Sequence, residues 1–196
     1  SAQWAAESLL NSSSRSHLAA LVSDGKNFNH FLRDKAVMTE EDLYKELGLP
    51  YIHPELREGF GEVELAKENK LPELVTWNDL KGTLHNHSDW SDGLHTLEQM
   101  AQAAQDLGLE YFGIADHSKS AFYANGLDER RIKEQHALID ELNKKFAPFR
   151  ILKGIESDIL NDGSLDYNDE VLASFDYIVA SVHSNLKMNE ARATER

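Results

Sequence analysis

The sequence predicts an α/β protein, a parallel sheet built from strand–helix repeats with a small all-helical module in front of it. Three observations predict this. From Lys81 onward, short apolar runs alternate with amphipathic stretches four times over. Before about residue 50 the apolar residues recur instead at helical spacing, and a stretch rich in Glu, Pro and Gly separates the two textures.

In residues 1–49 the helical spacing is carried by Trp4, Leu9, Leu10, Leu18, Leu21, Val22, Leu43 and Leu47. Thr39 followed by Asp42 reads as a capping box, for a helix that stops at Gly48 with Pro50 beyond it. Residues 50–80 have little periodicity and are read as an ordered linker. The first strand is expected at Gly82–His87, followed by a helix near Thr96–Leu107 with Leu97, Met100, Ala101 and Ala104 on its apolar face. The second run, Tyr111–His117, precedes a helix near Asp128–Phe146 carrying Ile132, Leu138, Ile139 and Leu142. The third, Arg150–Ile159, leads through the turn Asn161-Asp162-Gly163-Ser164 to a brief helix around Asp169–Phe175. The fourth, Tyr177–His183, precedes a polar helical tail, so residues 81–196 form the sheet domain, either doubly wound or a barrel. Trp77 and Trp90 flank the first strand and are expected to pack in the core.

The chain has 196 residues, of which 41% are hydrophobic, enough to bury a sizeable core and to exclude global disorder. No apolar stretch approaches the roughly 20 residues that span a bilayer, and the start lacks the pattern of a signal peptide. The expected setting is cytoplasmic, without a membrane. There is no cysteine, so any metal must be held by His, Asp and Glu. The formal charge of -14 repels a phosphate backbone, so affinity for nucleic acid has to be local.

Each apolar run closes on an imidazole or a carboxylate: His85 and His87, then Asp116 and His117, then Glu156 and Asp158, then His183. In parallel α/β architectures ligands bind outside the carboxyl ends of the strands, so these side chains are expected to converge at one mouth. His85 and His87 are two apart and share a strand face, and Asp92 lies on a loop able to fold back over it. Imidazoles and carboxylates without thiolates suit zinc, manganese or iron better than calcium. Such a cluster supports metal-assisted hydrolysis of phosphate esters. His17, His30, His53, His95 and His136 fall outside the pattern and read as exposed or packing histidines.

The segments Leu84-His85-Asn86-His87-Ser88 with Ser91-Asp92-Gly93, Ala115-Asp116-His117-Ser118, Gly154-Ile155-Glu156-Ser157-Asp158 and Ala180-Ser181-Val182-His183-Ser184 resemble the first motifs of the PHP (polymerase and histidinol phosphatase) family. Within it, the resemblance is to the PHP domain of bacterial family X DNA polymerases, supported by Asn125-Gly126-Leu127, Asp162-Gly163-Ser164-Leu165-Asp166 and Gly48-Leu49-Pro50-Tyr51-Ile52. It implies that His85, His87, Asp92, His117, Glu156 and His183 are the catalytic metal ligands, with Glu156 bridging two ions. The cofactor it implies is manganese or zinc, with iron a third choice, and up to three ions in a complete domain. The fold it implies is the first half of a (β/α)7 TIM-like barrel. Ser14-Arg15-Ser16-His17 and Gly25-Lys26-Asn27-Phe28-Asn29 resemble the end of a polymerase thumb, with Ser13 where that family has Gly.

The resemblance further implies 3′ to 5′ exonuclease or DNA-repair hydrolysis of phosphodiesters, with DNA as partner of the parent protein. Ser118, Lys119 and Ser184 flank the ligands and could touch a substrate phosphate. The family takes further ligands from later strands, so the chain is expected to be a fragment that is inactive alone, binds fewer ions and could pair two copies through open strand edges. The alternatives are a small-molecule phosphatase of the histidinol-phosphate type and a non-catalytic, structural PHP fragment.

Overall fold

A computed structural model describes residues 2–22, 28 and 39–196, and divides the chain into two compact units that meet between Leu74 and Val75. His30 and most of the thumb-like segment at 25–29 lie outside the described residues.

The first unit contains α1 (Ala2–Asn11), α2 (Arg15–Leu21), α3 (Glu40–Glu46) and α4 (Glu62–Lys67). Ser14 begins α2 by accepting from the His17 N–H at 3.0 Å, and Thr39 begins α3 by accepting from Asp42 at 3.2 Å. Ala5, Leu9, Leu21, Leu43, Tyr44, Ile52, Val63 and Ala66 form its core. Ile52, Val63 and Ala66 come from the stretch read as a linker, so up to Leu74 that stretch is built into the helical unit. Its composition hid this because α4 is only six residues long and shows too few apolar positions to establish a period. Trp4, read as an apolar face residue, is exposed.

Two polar groups tie this core together. The Arg57 guanidinium is fully buried and donates to the Ile52 carbonyl at 2.8 Å, Ser12 Oγ at 2.8 Å and Glu40 Oε2 at 2.6 Å. The His17 imidazole lies between Glu62 Oε1 at 2.5 Å and the Tyr44 hydroxyl at 2.8 Å.

In the second unit, β1 (Gly82–Asn86), β2 (Tyr111–Ile114) and β4 (Arg150–Leu152) pair in parallel, as do β3 (Asp116–His117), β5 (Gly154–Asp158) and β6 (Tyr177–Ser181). β2 and β3 are one run interrupted at Ala115, and β4 and β5 one run interrupted at Lys153. Four parallel runs therefore stand side by side in chain order.

The connecting helices are α5 (Leu97–Asp106), α6 (Glu129–Phe146) and the one-turn α7 (Asp169–Leu172), with α8 (Glu190–Glu195) following the last strand. Thr96 and Gln99 make a reciprocal capping box on α5, and Asp128 Oδ1 accepts from Arg131 at the start of α6. Leu97, Ala101, Ile139, Leu142 and Phe146 from the helices pack on Phe112, Ile114 and Ile151 of the sheet. Each large side chain fully buried this way contributes about 1.5–3 kcal/mol. Leu138, assigned to the apolar face of α6, is partly exposed, and Trp77 is 87% exposed rather than packed in the core. Trp90 does pack, with its ring under the Arg131 guanidinium.

Candidate metal centre

The site forms where β1, β3, β5 and β6 end. β1 does not run straight, because its register with β2 slips between Thr83 and Asn86 and His85 sits at φ +60°. That conformation is costly for a residue with a Cβ, so something must hold it. Tyr177 does: its hydroxyl accepts from the His85 N–H at 3.3 Å and donates to the Ile114 carbonyl at 2.7 Å. Simple strand alternation predicted the pairing of His85 with His87, but β1 ends at Asn86 and His87 stands in the turn beyond it. The kink is what brings the two rings to 5.4 Å between centroids.

The turn after His87 folds back through the Gly93 N–H, which donates to the Ser88 carbonyl at 2.8 Å. A Cβ on Gly93 would lie 2.2 Å from the His87 carbonyl oxygen, so the return is open only to glycine. It places Asp92 Oδ1 3.5 Å from His87 Nδ1 and Asp92 Oδ2 3.6 Å from His117 Nε2.

Glu156, on the central strand β5, is the hub. Its Oε1 lies 3.4 Å from His85 Nε2 and 3.2 Å from His183 Nε2. Its Oε2 lies 3.4 Å from His87 Nε2 and 3.1 Å from His117 Nδ1. The carboxylate thus offers one oxygen to each of two imidazole pairs. Burial pushes the Glu156 carboxyl up, but a hydrogen bond from Ser181 and the His117, His85 and His183 imidazoles outweigh it and hold it below the usual range. The His87 imidazole is pushed down, first by burial and then by His117 beside it, which keeps it neutral and able to ligate.

Hydrogen bonds do not account for all of these contacts. His87 Nδ1 and His117 Nδ1 are buried with no hydrogen-bond partner, although carboxylate oxygens lie 3.5 and 3.1 Å away. Two ligands held at about 2.1 Å from one tetrahedral ion stand about 3.4 Å apart, the separation seen throughout the cluster. Three groups have ligand atoms all within 4.8 Å of one another: His85, His87 and Glu156; His87, Asp92 and His117; His117, Glu156 and His183. Orphaned imidazole nitrogens, ligand-like spacing and an N/O donor set together fit a transition-metal centre.

Two acidic residues at the strand ends turn away from the cluster and support it. Asp116 is fully buried and accepts from the Ser88 N–H at 2.7 Å, Ser88 Oγ at 2.7 Å, Ser91 Oγ at 2.6 Å and Gln135 Nε2 at 2.6 Å. It anchors the Asp92 turn to β3 and α6. Asp158 Oδ1 stands 2.5 Å from His183 Nδ1, which aims Nε2 of that ring at Glu156. Asp166 belongs to the same support, accepting from both the N–H and the Oγ of Ser120.

Of the flanking residues read as phosphate contacts, Ser118 and Lys119 have protein partners, and Ser184 stands in solvent. Ser118 is fully buried, its Oγ accepting from the Asp158 N–H at 3.0 Å. The Lys119 ammonium pairs with Glu129 at 2.6 Å and lies over the Tyr167 ring. Ser184 is exposed and its carbonyl accepts from Arg196.

Tyr123 was not singled out by sequence reading. Its ring lies 6.3 Å from that of His117, on the rim of the cluster, and slight burial and the Asp158, Glu156 and Asp92 carboxylates raise its hydroxyl pKa.

A parallel sheet whose strand ends and first loop bring four imidazoles and two carboxylates together defines an α/β domain with groups that could hold a metal ion. The PHP domain family matches residues 83–195, and the chain belongs to it. The chain is 46% identical over 156 residues to the DNA polymerase/3′-5′ exonuclease PolX of Bacillus subtilis, covering 80% of this chain and 27% of that protein. It is 32% identical over 104 residues to a probable phosphatase of Acetivibrio thermocellus, covering 50% of this chain and 39% of that protein. A probable phosphatase of Clostridium acetobutylicum is 28% identical over 110 residues, 51% of this chain and 39% of its own length. The chain therefore spans between about a quarter and two fifths of the relatives it matches.

Proposed function

We propose that the chain is the PHP portion of a family X DNA polymerase, and that His85, His87, Asp92, His117, Glu156 and His183 hold the ions of a phosphodiesterase centre acting on DNA 3′ ends. The observation that carries this is the Glu156 hub, one carboxylate with each oxygen facing two imidazoles from different strand ends. Manganese or zinc fits the donors best, with iron third. Bound ions supply a water activated near neutral pH and positive charge opposite a phosphoryl group. The chain's own part is to fix the ligands. Glu156 spans the cluster, Asp158 sets the His183 ring, and Asp116 locks the turn that presents Asp92.

The polymerase context is supported by the length of the Bacillus subtilis alignment, which exceeds the PHP match and must run into the helical unit. In this reading the four parallel runs are the first half of a (β/α)7 barrel and the helical unit is the end of a thumb. The similarity to the two probable phosphatases favours a second reading, hydrolysis of a small phosphate monoester of the histidinol-phosphate kind.

Nuclease assays with manganese on the full-length protein and its His117→Ala variant test the proposal. The expected result is removal of 3′ nucleotides by the first and at least a hundredfold loss in the second. Equal cleavage by both overturns it, and turnover of histidinol phosphate without attack on DNA establishes the second reading.

A further inference from the structure

The turn between β3 and α6 carries two consecutive large aromatics in solvent at the edge of the site. Phe122 is 85% and Tyr123 65% exposed, on the 3-10 turn Phe122–Ala124. Their rings stand 6.2 Å apart at 76°, and the Tyr123 ring is 6.3 Å from that of His117. Two neighbouring aromatics held in water gain nothing for folding, since their area stays exposed.

The turn that displays them is held rigidly from below. Ala121 and Ala124 are buried beneath it, and the Ala121 and Leu127 N–H groups donate to the Ser118 and His117 carbonyls at 3.0 and 2.8 Å. A Cβ on Gly126 would fall 1.8 Å from the Ser118 oxygen, so the backbone is pressed against the strand end. The Arg131 Nη1 donates to the Asn125 and Gly126 carbonyls, and its Nη2 and the Asn125 amide both reach the Trp90 carbonyl. The rings are therefore presented at a fixed distance from a ligand imidazole.

The charge of the surroundings says what could lie on them. The nearby Lys119 ammonium pairs with Glu129, and the chain carries -14 overall. A nucleic acid reaching this site would then draw on ions at its phosphate and on uncharged contacts elsewhere. Base–aromatic stacking is such a contact, contributing about 1–3 kcal/mol per base with little regard to sequence. We propose that Phe122 and Tyr123 form a stacking platform for an unpaired nucleobase next to the phosphate at the metal centre, selecting a nucleotide end over a small phosphate ester. This rests on the phosphodiesterase reading and specifies its substrate.

The test measures binding by fluorescence anisotropy, with manganese, of two 5′-fluorescein pentathymidylates, one of which ends in an abasic tetrahydrofuran residue. The wild-type chain is expected to bind the complete strand at least fivefold tighter than the abasic one. Tyr123→Ala is expected to abolish that preference and Tyr123→Phe, which keeps the ring, to retain it, with Phe122→Ala weakening it. Equal binding of the two strands by the wild type, binding of neither, or a preference that survives in Tyr123→Ala overturns the platform. Hydrolysis of bis(p-nitrophenyl) phosphate by the full-length protein reads the phosphodiesterase separately. Its presence with no base preference removes the platform alone, and its absence removes the function beneath it.

Discussion

Asp116 is fully buried and satisfied by four donors, none of them a cation. Asp116→Ala would strand the Ser88, Ser91 and Gln135 donors in the interior, at about 1–3 kcal/mol for each buried group left unpaired. Chemical denaturation is expected to show a loss of about 3 kcal/mol or more, and an unchanged midpoint would contradict the role. Asp158→Asn is the subtler change, because an amide can present its N–H to His183 Nδ1 and leave the proton on the nitrogen that faces Glu156. Calorimetric titration is expected to show metal affinity reduced 10- to 100-fold with the thermal midpoint of the metal-free chain nearly unchanged. At this scale the ligand types were legible because each apolar run closes on one. Composition and spacing alone did not separate Asp116 and Asp158 from Glu156, which differ in the donors their neighbours aim at them; only the family resemblance singled out Asp92 and Glu156. The serines in the same motifs carried that signal.

The helices show how burial couples to charge. Arg57 joins the segment after α3 to Glu40 at the start of that helix, with both partners almost wholly buried. Arg57→Met is expected to leave the Glu40 charge without its partner and lower the stability of the helical unit by about 3–5 kcal/mol. Native-state hydrogen exchange of α1 and α3 would measure it. On α6, His136 packs edge-on against Phe175 with its Nε2 buried and unpartnered. Burial, and then Lys153, lower its pKa, and burial lowers that of His17 in the other unit despite Glu62 beside it. A folded-state pKa below the unfolded value means that the unfolded chain takes up the proton first as pH falls. The stability these residues confer is whole above about pH 6.5 and lost below it. Thermal midpoints should therefore drop from pH 7.5 to pH 5, and less steeply in His136→Leu. Strand–helix alternation was readable from periodicity because α5 and α6 are long. Residues 50–74, read as part of a linker, supply Ile52, Val63 and Ala66 to the helical core, and six-residue α4 and isolated Ile52 leave no period to detect. No helix among the described residues is long and apolar enough to cross a membrane.

Across the whole molecule, ion binding should act first on the sheet unit. Every described group that could hold an ion lies beyond residue 82, so manganese at a hundred times its dissociation constant should stabilise the sheet unit by about 2.7 kcal/mol. Hydrogen exchange with and without EDTA measures it, and unchanged protection of β5 and β6 would contradict the expectation. The parallel character of the four runs was legible in the sequence, but the kink at His85 was not, because the Tyr177 hydroxyl that holds it lies 92 positions away. The most direct test of the shared centre is calorimetric titration of manganese into the metal-free chain and into Glu156→Gln. The account predicts saturable binding of more than one ion to the wild type and loss of the multi-ion stoichiometry when the hub carboxylate is neutralised. The same stoichiometry and affinity in both, or no saturable binding to the wild type, would contradict it.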